Sequence, residues 1–143
     1  MQFDPDNKIV KLCAQGMEKE AEGKIEEASE LFLKAWNKAT NDLEKFISAH
    51  YVARHQKSIA EKLKWDETAL NIALNINDDK IKGSYPSLYL NIAKGYEDMN
   101  DLHNALKNYQ LALFFSTSLP KNGYGQMILS GINNGINRIT KIQ

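Results

Sequence analysis

The sequence predicts an all-α protein of about seven helices, arranged as antiparallel helix-turn-helix pairs. Apolar residues recur with a period near 3.6 along almost the whole chain, which is typical of amphipathic helices. Only three prolines and eight glycines interrupt this pattern. The turns between successive helical segments are short, and a short turn reverses the chain direction. Neighbouring helices are therefore expected to run antiparallel.

Four helices are predicted in the first half of the chain. The first begins at Asp4-Pro5, where a capping side chain precedes a proline, and ends at Gly23, which tolerates the left-handed conformation of a helix end. The second covers about residues 24–40. The third and fourth begin at sequences in which a capping side chain is followed three residues later by glutamate. These sequences are Asn41 with Glu44, and Ser58 with Glu61.

Three more helices are predicted after a polar loop. The loop covers residues 77–84, the most polar stretch of the chain. The helices are expected over residues 86–99, 100–117 and 124–142. Isoleucines form a stripe on one face of the last helix: Ile128, Ile132, Ile136 and Ile139.

Two segments place large and small residues at the same intervals. In residues 86–117 the series is Tyr89, Ile92, Ala93, Tyr96, Asn100, Ala105, Tyr109 and Ala112. In residues 9–40 it is Leu12, Gly16, Gly23, Ala28, Phe32 and Ala35. Both series resemble the tetratricopeptide repeat (TPR), a helix-turn-helix unit of 34 residues. Residues 46–77 can be threaded between them as a third repeat, with Trp65 at an alanine position and Ala69 at the aromatic position.

This resemblance implies a single domain, residues 1–143, with the shape of a right-handed superhelix. The repeats would cover about residues 9–40, 46–77 and 86–117, and residues 124–142 would form a capping helix. In such solenoids the first helices of successive repeats line a concave groove that binds an extended peptide or a helix. The isoleucine stripe on the last helix leaves dimerisation open as an alternative to capping.

The threaded repeats place six polar side chains in the groove as the predicted partner-binding site. These are His50, Arg54, Lys57, Asn91, Lys94 and Glu97. The first repeat would add Cys13, Met17 and Glu20. The cations form a basic strip, and an arginine offers carboxylates two parallel donors. The predicted function is therefore a non-catalytic protein-interaction module that binds an acidic segment of a partner. The alternative for the charged residues is an ordinary solvated helix face.

An enzymatic role is not expected, and the sequence predicts no catalytic residue, no metal and no cofactor. It contains no HExxH, GxGxxG, GxxxxGK[ST] or GxSxG motif. His50 and His55 are five residues apart, about 140° around a helix, so they cannot hold one metal ion from a single face. Cys13 is the only cysteine, which excludes an internal disulfide, and we interpret it as a buried structural thiol.

The charges sum to zero, with 18 basic and 18 acidic side chains, which argues against bulk attraction to nucleic acid or anionic membrane. They are nevertheless segregated along the chain. Residues 18–30 contain six glutamates and two lysines, whereas residues 102–143 contain three lysines, one arginine and no acid. This polarity keeps open a self-associating scaffold, formed as a homodimer through the C-terminal helix or through the charged ends.

A third alternative is weak RNA binding, or an enzymatic role of the His50, Arg54 and His55 cluster. Aromatic residues are interleaved with basic ones, as in proteins that bind single strands, but most of them match core positions of the repeat. No run of 18 apolar residues occurs, and residues 1–8 are polar, with acid where a signal peptide carries base. The sequence therefore predicts a cytoplasmic protein with no membrane partner.

Overall fold

The structure, a computed structural model, describes residues 3–142. Three residues of the predicted domain lie outside the described residues: Met1, Gln2 and Gln143. The first two also belong to the predicted polar N-terminal segment. Within residues 3–142 the secondary structure is helical and no strand occurs, which confirms the all-α class. The chain divides into two compact units, one up to Asn77 and one from Asp78. The single domain and the right-handed superhelix stay predictions.

Seven helices of 11 to 20 residues account for most of the described chain. The first unit contains α1 (Lys8–Ala21), α2 (Ile25–Lys38), α3 (Asp42–Val52) and α4 (Ile59–Leu74). The second unit contains the four-residue helix α5 (Asp79–Lys82), then α6 (Tyr85–Asp98), α7 (Leu102–Phe114) and α8 (Gly123–Ile142). Two 3-10 segments, Ala53–His55 and Phe115–Ser118, follow α3 and α7 directly.

The predicted capping sequences begin the helices where they were expected. The side-chain oxygen of Asn41 accepts a hydrogen bond from the backbone N–H of Glu44 at 2.8 Å. Ser58 accepts one from the backbone of Glu61 at 3.0 Å. Asp101 caps α7 in the same way. Each of these side chains satisfies a backbone donor that the first turn of a helix leaves unpaired.

Two details of the predicted boundaries are wrong. The first helix begins at Lys8 and not at Asp4, because Asn7 accepts the hydrogen bonds of the first backbone N–H groups while Asp4 holds the preceding turn. The segment 77–84 is not entirely a loop, because it contains α5. Asp78 caps that short helix, and Ile81 anchors it by being almost fully buried.

The turns inside the first and last helix pairs have the same geometry. Gly23 follows α1 with a φ of 77°, and Asn100 follows α6 with a φ of 62°, both in the left-handed region. In each turn a backbone N–H reaches back five residues to a carbonyl of the preceding helix. The bonds are Lys24 N to Lys19 O at 2.8 Å and Asp101 N to Tyr96 O at 2.9 Å. This is the Schellman arrangement of a helix end, so α1 with α2 and α6 with α7 are joined alike.

The small and large residues of the two matching segments form the cores of these helix pairs. In α1 and α2 the buried positions include Gly16, Ala28, Phe32 and Ala35, and in α6 and α7 they include Ala93, Ala105, Tyr109 and Ala112. A Cβ atom on Gly16 would lie 2.3 Å from the Phe32 ring. The absence of that atom allows the aromatic ring to pack directly against the backbone of α1.

The middle pair, α3 with α4, packs differently. Phe32 and Tyr109 each stand eight residues after the N-cap of their helix, and in α4 that place belongs to Asp66. The threaded repeat had put Ala69 there. Asp66 is 5% exposed, and its carboxylate accepts a hydrogen bond from Lys62 Nζ at 2.6 Å. A buried carboxylate, paired with the partly exposed Lys62, thus occupies the position that an aromatic residue fills in the other two pairs.

The C-terminal helix α8 packs on α6 and α7 of its own unit. Ile128, Ile132 and Ile139 of the predicted stripe are buried, and Ile136 is partly buried. A Cβ atom on Gly135 would lie 2.3 Å from the ring of Tyr109, so α8 approaches α7 closely at this glycine. The isoleucine stripe is covered within the second unit, and a homodimer through α8 would have to use its other faces.

Candidate partner-binding site

The six predicted groove residues are divided equally between the two units. His50, Arg54 and Lys57 belong to the first unit, on α3, on the 3-10 segment after it and in the turn before α4. Asn91, Lys94 and Glu97 lie on α6 in the second unit. Each group of three lies along one continuous segment of its own unit, residues 50–57 in the first and residues 91–97 in the second.

In the second unit, two of the three predicted residues already have partners. Lys94 pairs with Asp98 at 3.0 Å, one helical turn away. Glu97 accepts two hydrogen bonds from Arg138 of α8, from Nε at 2.9 Å and from Nη2 at 3.0 Å. It accepts a third from the hydroxyl of Tyr109 at 2.6 Å. Asn91 is partly buried. This unit therefore uses Glu97 to hold its own C-terminal helix.

The electrostatics of this contact follow from its hydrogen bonds. Arg138, helped by Tyr109, lowers the pKa of Glu97 from 4.5 to about 2, against the opposing effect of burial. Burial, together with the bond to Glu97, raises the pKa of Tyr109 above its ordinary value. The Glu97 carboxylate in turn raises the pKa of Arg138. At neutral pH Glu97 and Arg138 therefore stay charged and Tyr109 stays protonated, and we call these three connected side chains of α6, α7 and α8 the latch of the second unit.

In the first unit, Arg54 and the neighbouring His55 converge on one carboxylate. Arg54 Nε lies 3.3 Å from Oε2 of Glu20, and His55 Nε2 contacts the same oxygen. Because an ionised carboxylate only accepts hydrogen bonds, Nε2 of His55 carries the proton in this contact. Glu20 was expected in the groove, but its pairing with Arg54 was not predicted. No local pattern signals contacts of Glu20 with Arg54 and His55, which are 34 and 35 positions away.

Aromatic rings support both partners of Glu20. The guanidinium of Arg54 lies 5.7 Å from the ring centroid of Tyr51, within the range of a cation–π interaction. Phe32 stacks on His55 with 6.2 Å between ring centroids and on Tyr51 with 5.2 Å. The core residue Phe32 thereby helps to fix the rings that surround Glu20. We call Glu20, Tyr51, Arg54 and His55 the anion cluster.

His50 does not contribute a positive charge to the predicted basic strip. Burial lowers the pKa of its imidazole, and the nearby charges of Arg54 and Lys62 lower it further, while Asp66 opposes them. The ring is therefore neutral at neutral pH. It contacts Tyr51 edge to face, with 5.4 Å between ring centroids. His50 is a half-buried polar ring beside the strip and not one of its cations.

Arg54 and Lys57 are the exposed cations of the predicted site in the first unit, whereas Lys94 in the second unit is also exposed but is paired with Asp98. The side chain of Arg54 is 46% exposed, and no hydrogen bond from the described residues occupies its two terminal nitrogens. Lys57 is exposed and forms no ion pair within residues 3–142. Cys13, also expected near the groove, is buried instead, which agrees with the buried thiol predicted from the sequence. Burial raises the pKa of its thiol to about 12.

We compared this chain with protein-family models, with curated proteins and with solved structures. No match was found. The likeness to the TPR family accordingly stays a prediction from the residues themselves. Among the described residues no three His, Cys, Asp or Glu side chains are arranged to hold a metal ion. The same part of the chain contains no helix that is both long and apolar enough to cross a membrane.

Proposed function

We propose that this chain is a non-catalytic interaction module of the helix-pair repeat type, similar to TPR proteins, and that it binds an acidic segment of a partner protein. The single observation that carries the proposal is the pair of exposed cations, Arg54 and Lys57, in the connection between α3 and α4. They lie three residues apart, and Arg54 is close to the neutral ring of His50. This combination suits a chain segment that carries carboxylates.

The likeness between two helix pairs supports the repeat type. In both α1–α2 and α6–α7 the aromatic residue stands eight positions after the N-cap and is fully buried. Both pairs also use the same left-handed turn, at Gly23 and at Asn100. Helix pairs that repeat in this way bury their faces by stacking, and they present extended surfaces for binding.

The chemistry of the two cations supports an acidic ligand. The terminal nitrogens of Arg54 can donate two parallel hydrogen bonds to one carboxylate. Lys57 adds a second, rotatable charge for a neighbouring acid of the same segment. Because both side chains are exposed, salt screens their attraction, and we expect the affinity to fall as ionic strength rises.

The test is a binding titration at low salt with a fluorescently labelled oligoglutamate peptide, against an oligoglutamine peptide of the same length. The double variant Arg54→Ala/Lys57→Ala should bind oligoglutamate about tenfold more weakly than the wild type, because hydrogen bonds to charged groups are lost. The matched control is Lys45→Ala/Lys64→Ala, which removes the same number of charges from exposed places on α3 and α4. It should change the affinity much less.

Two results would contradict the proposal. Equal binding of oligoglutamate and oligoglutamine would show that carboxylates are not recognised. An equal loss of affinity in the two double variants would show attraction to overall charge and not to this site. Far-UV circular dichroism of every variant separates loss of binding from loss of folding, and none of the four substituted side chains is buried.

A further inference from the structure

We infer that Arg54 and His55 form an anion site that Glu20 occupies in the absence of a partner, and that a carboxylate of the bound acidic segment replaces Glu20 there. This inference rests on the proposed function and adds how its affinity is set. Three properties of the anion cluster support it: the geometry of its contacts, the aromatic rings behind its donors, and the unfavourable position of the Glu20 charge at the end of α1.

The geometry is that of a site built around one carboxylate oxygen. Both the Arg54 guanidinium and the His55 ring contact Oε2 of Glu20, whose side chain is only 13% exposed. The two donors come from consecutive residues of the 3-10 segment, whereas the acceptor comes from α1. The carboxylate is therefore the part of the site that can leave without disturbing the arrangement of its donors.

The donors are held in place by groups other than Glu20. Tyr51 lies beneath Arg54, and Phe32 stacks on His55. Phe32 is itself fully buried in the core of the α1–α2 pair. These aromatic contacts would persist if the Glu20 side chain turned away, so the site is preformed for another carboxylate.

The position of Glu20 on α1 makes its carboxylate replaceable. Glu20 stands in the last turn of α1, where the helix dipole disfavours a negative charge. Glu18 precedes it and Glu22 follows it by two residues, so residues 18–22 carry three carboxylates against one lysine, Lys19, which pairs with Glu22. A carboxylate from a partner could make the same contacts with Arg54 and His55, while Glu20 turned towards solvent and relieved this repulsion.

The test uses the oligoglutamate titration with Glu20→Gln, which keeps the size of the side chain and removes its charge. If Glu20 competes with the peptide for Arg54 and His55, removing its charge should favour the peptide. We expect binding to tighten about two- to fivefold, the range of an ion pair near the protein surface. The matched control is Glu18→Gln, which removes an equal charge from an exposed position of α1 two residues away. It should raise the affinity less.

The possible results are distinguishable. Weaker binding by Glu20→Gln would mean that Glu20 positions Arg54 for the ligand, which overturns the inference. Equal gains from Glu20→Gln and Glu18→Gln would mean a general field effect, which also overturns it. If Arg54→Ala/Lys57→Ala weakens binding while Glu20→Gln leaves it unchanged, the proposed function stands and the inference fails. If neither wild type nor Glu20→Gln prefers oligoglutamate to oligoglutamine, both fail.

Discussion

Phe32 and Tyr109 occupy the same place in two helix pairs, but each packs against a glycine on a different side. Phe32 meets Gly16 of α1, the helix before its own, whereas Tyr109 meets Gly135 of α8, the helix after its own. At both glycines an added Cβ atom would lie 2.3 Å from the ring. The position in the repeat therefore sets where the ring is buried, and the glycine sets which neighbouring helix approaches it closely.

The middle pair extends this comparison to a case without an aromatic ring. Eight positions before the N-cap of the second helix, the first and last pairs have Gly16 and Ala93, while the middle pair has His50. Eight positions after that N-cap it has Asp66. Polar side chains therefore occupy both places in the middle pair, close enough for the Asp66 charge to raise the pKa of His50 against the effect of burial.

The largest expected effect comes from removing the buried ring of the first pair, and removing the buried acid of the middle pair is the contrasting case with little or no loss of stability. Phe32→Ala should lower the free energy of unfolding by about 3–5 kcal/mol, because it leaves a cavity in a closely packed core. Asp66→Leu should be neutral or stabilising, since it exchanges a buried carboxylate, which is costly to desolvate, for apolar packing. The remaining Lys62 side chain is 42% exposed and can turn to solvent.

Urea denaturation followed by tryptophan fluorescence measures both changes, because Trp36 and Trp65, the chain's two tryptophans, lie in the first unit. A loss of stability in Asp66→Leu as large as that in Phe32→Ala would contradict this account. It would show that the acid makes a contribution to the middle pair that an apolar side chain cannot replace.

Next in size is a pair of opposite effects within α8. Gly135→Ala should destabilise the second unit by about 1–3 kcal/mol, because the new methyl group overlaps the buried Tyr109 ring. Gly131→Ala is the matched control, since its Cβ atom would lie 3.3 Å from the end of the flexible Leu90 side chain. That substitution should stabilise by up to about 1 kcal/mol through helix propensity.

Amide hydrogen exchange in α8 follows both glycine variants. The expected pattern is faster exchange in Gly135→Ala and slower exchange in Gly131→Ala. Similar shifts in the two variants would show that the Tyr109 ring moves aside, and that the close approach at Gly135 is not required for packing.

The helices were predictable, but the two ionic clusters were only partly so. Capping at Asn41 and Ser58 depends on residues three positions away, so it can be predicted from the local sequence. The start of α1 was misplaced because two capping side chains, Asp4 and Asn7, compete within one turn. The partner of Glu97 is 41 residues distant, and periodicity carries no information about such pairs.

The smallest effect concerns the latch of the second unit, and it depends on pH. Because hydrogen bonds lower the pKa of Glu97 from 4.5 to about 2 in the folded state, its stabilisation is complete above about pH 4.5 and is lost as the pH falls towards 2. We expect about 1–2 kcal/mol, less than the full shift would give, since Arg138 is 47% exposed and solvent screens the pair.

Urea denaturation of the wild type and of Glu97→Gln at a series of pH values, followed by far-UV circular dichroism, measures this contribution. The wild type should be the more stable near pH 6, and the difference should shrink towards zero near pH 2. Arg138→Gln should also reduce the pH dependence, because Arg138 is the main cause of the low pKa of Glu97. A constant difference across the range would show that the latch stabilises α8 by packing alone, and that the charge on Glu97 contributes nothing.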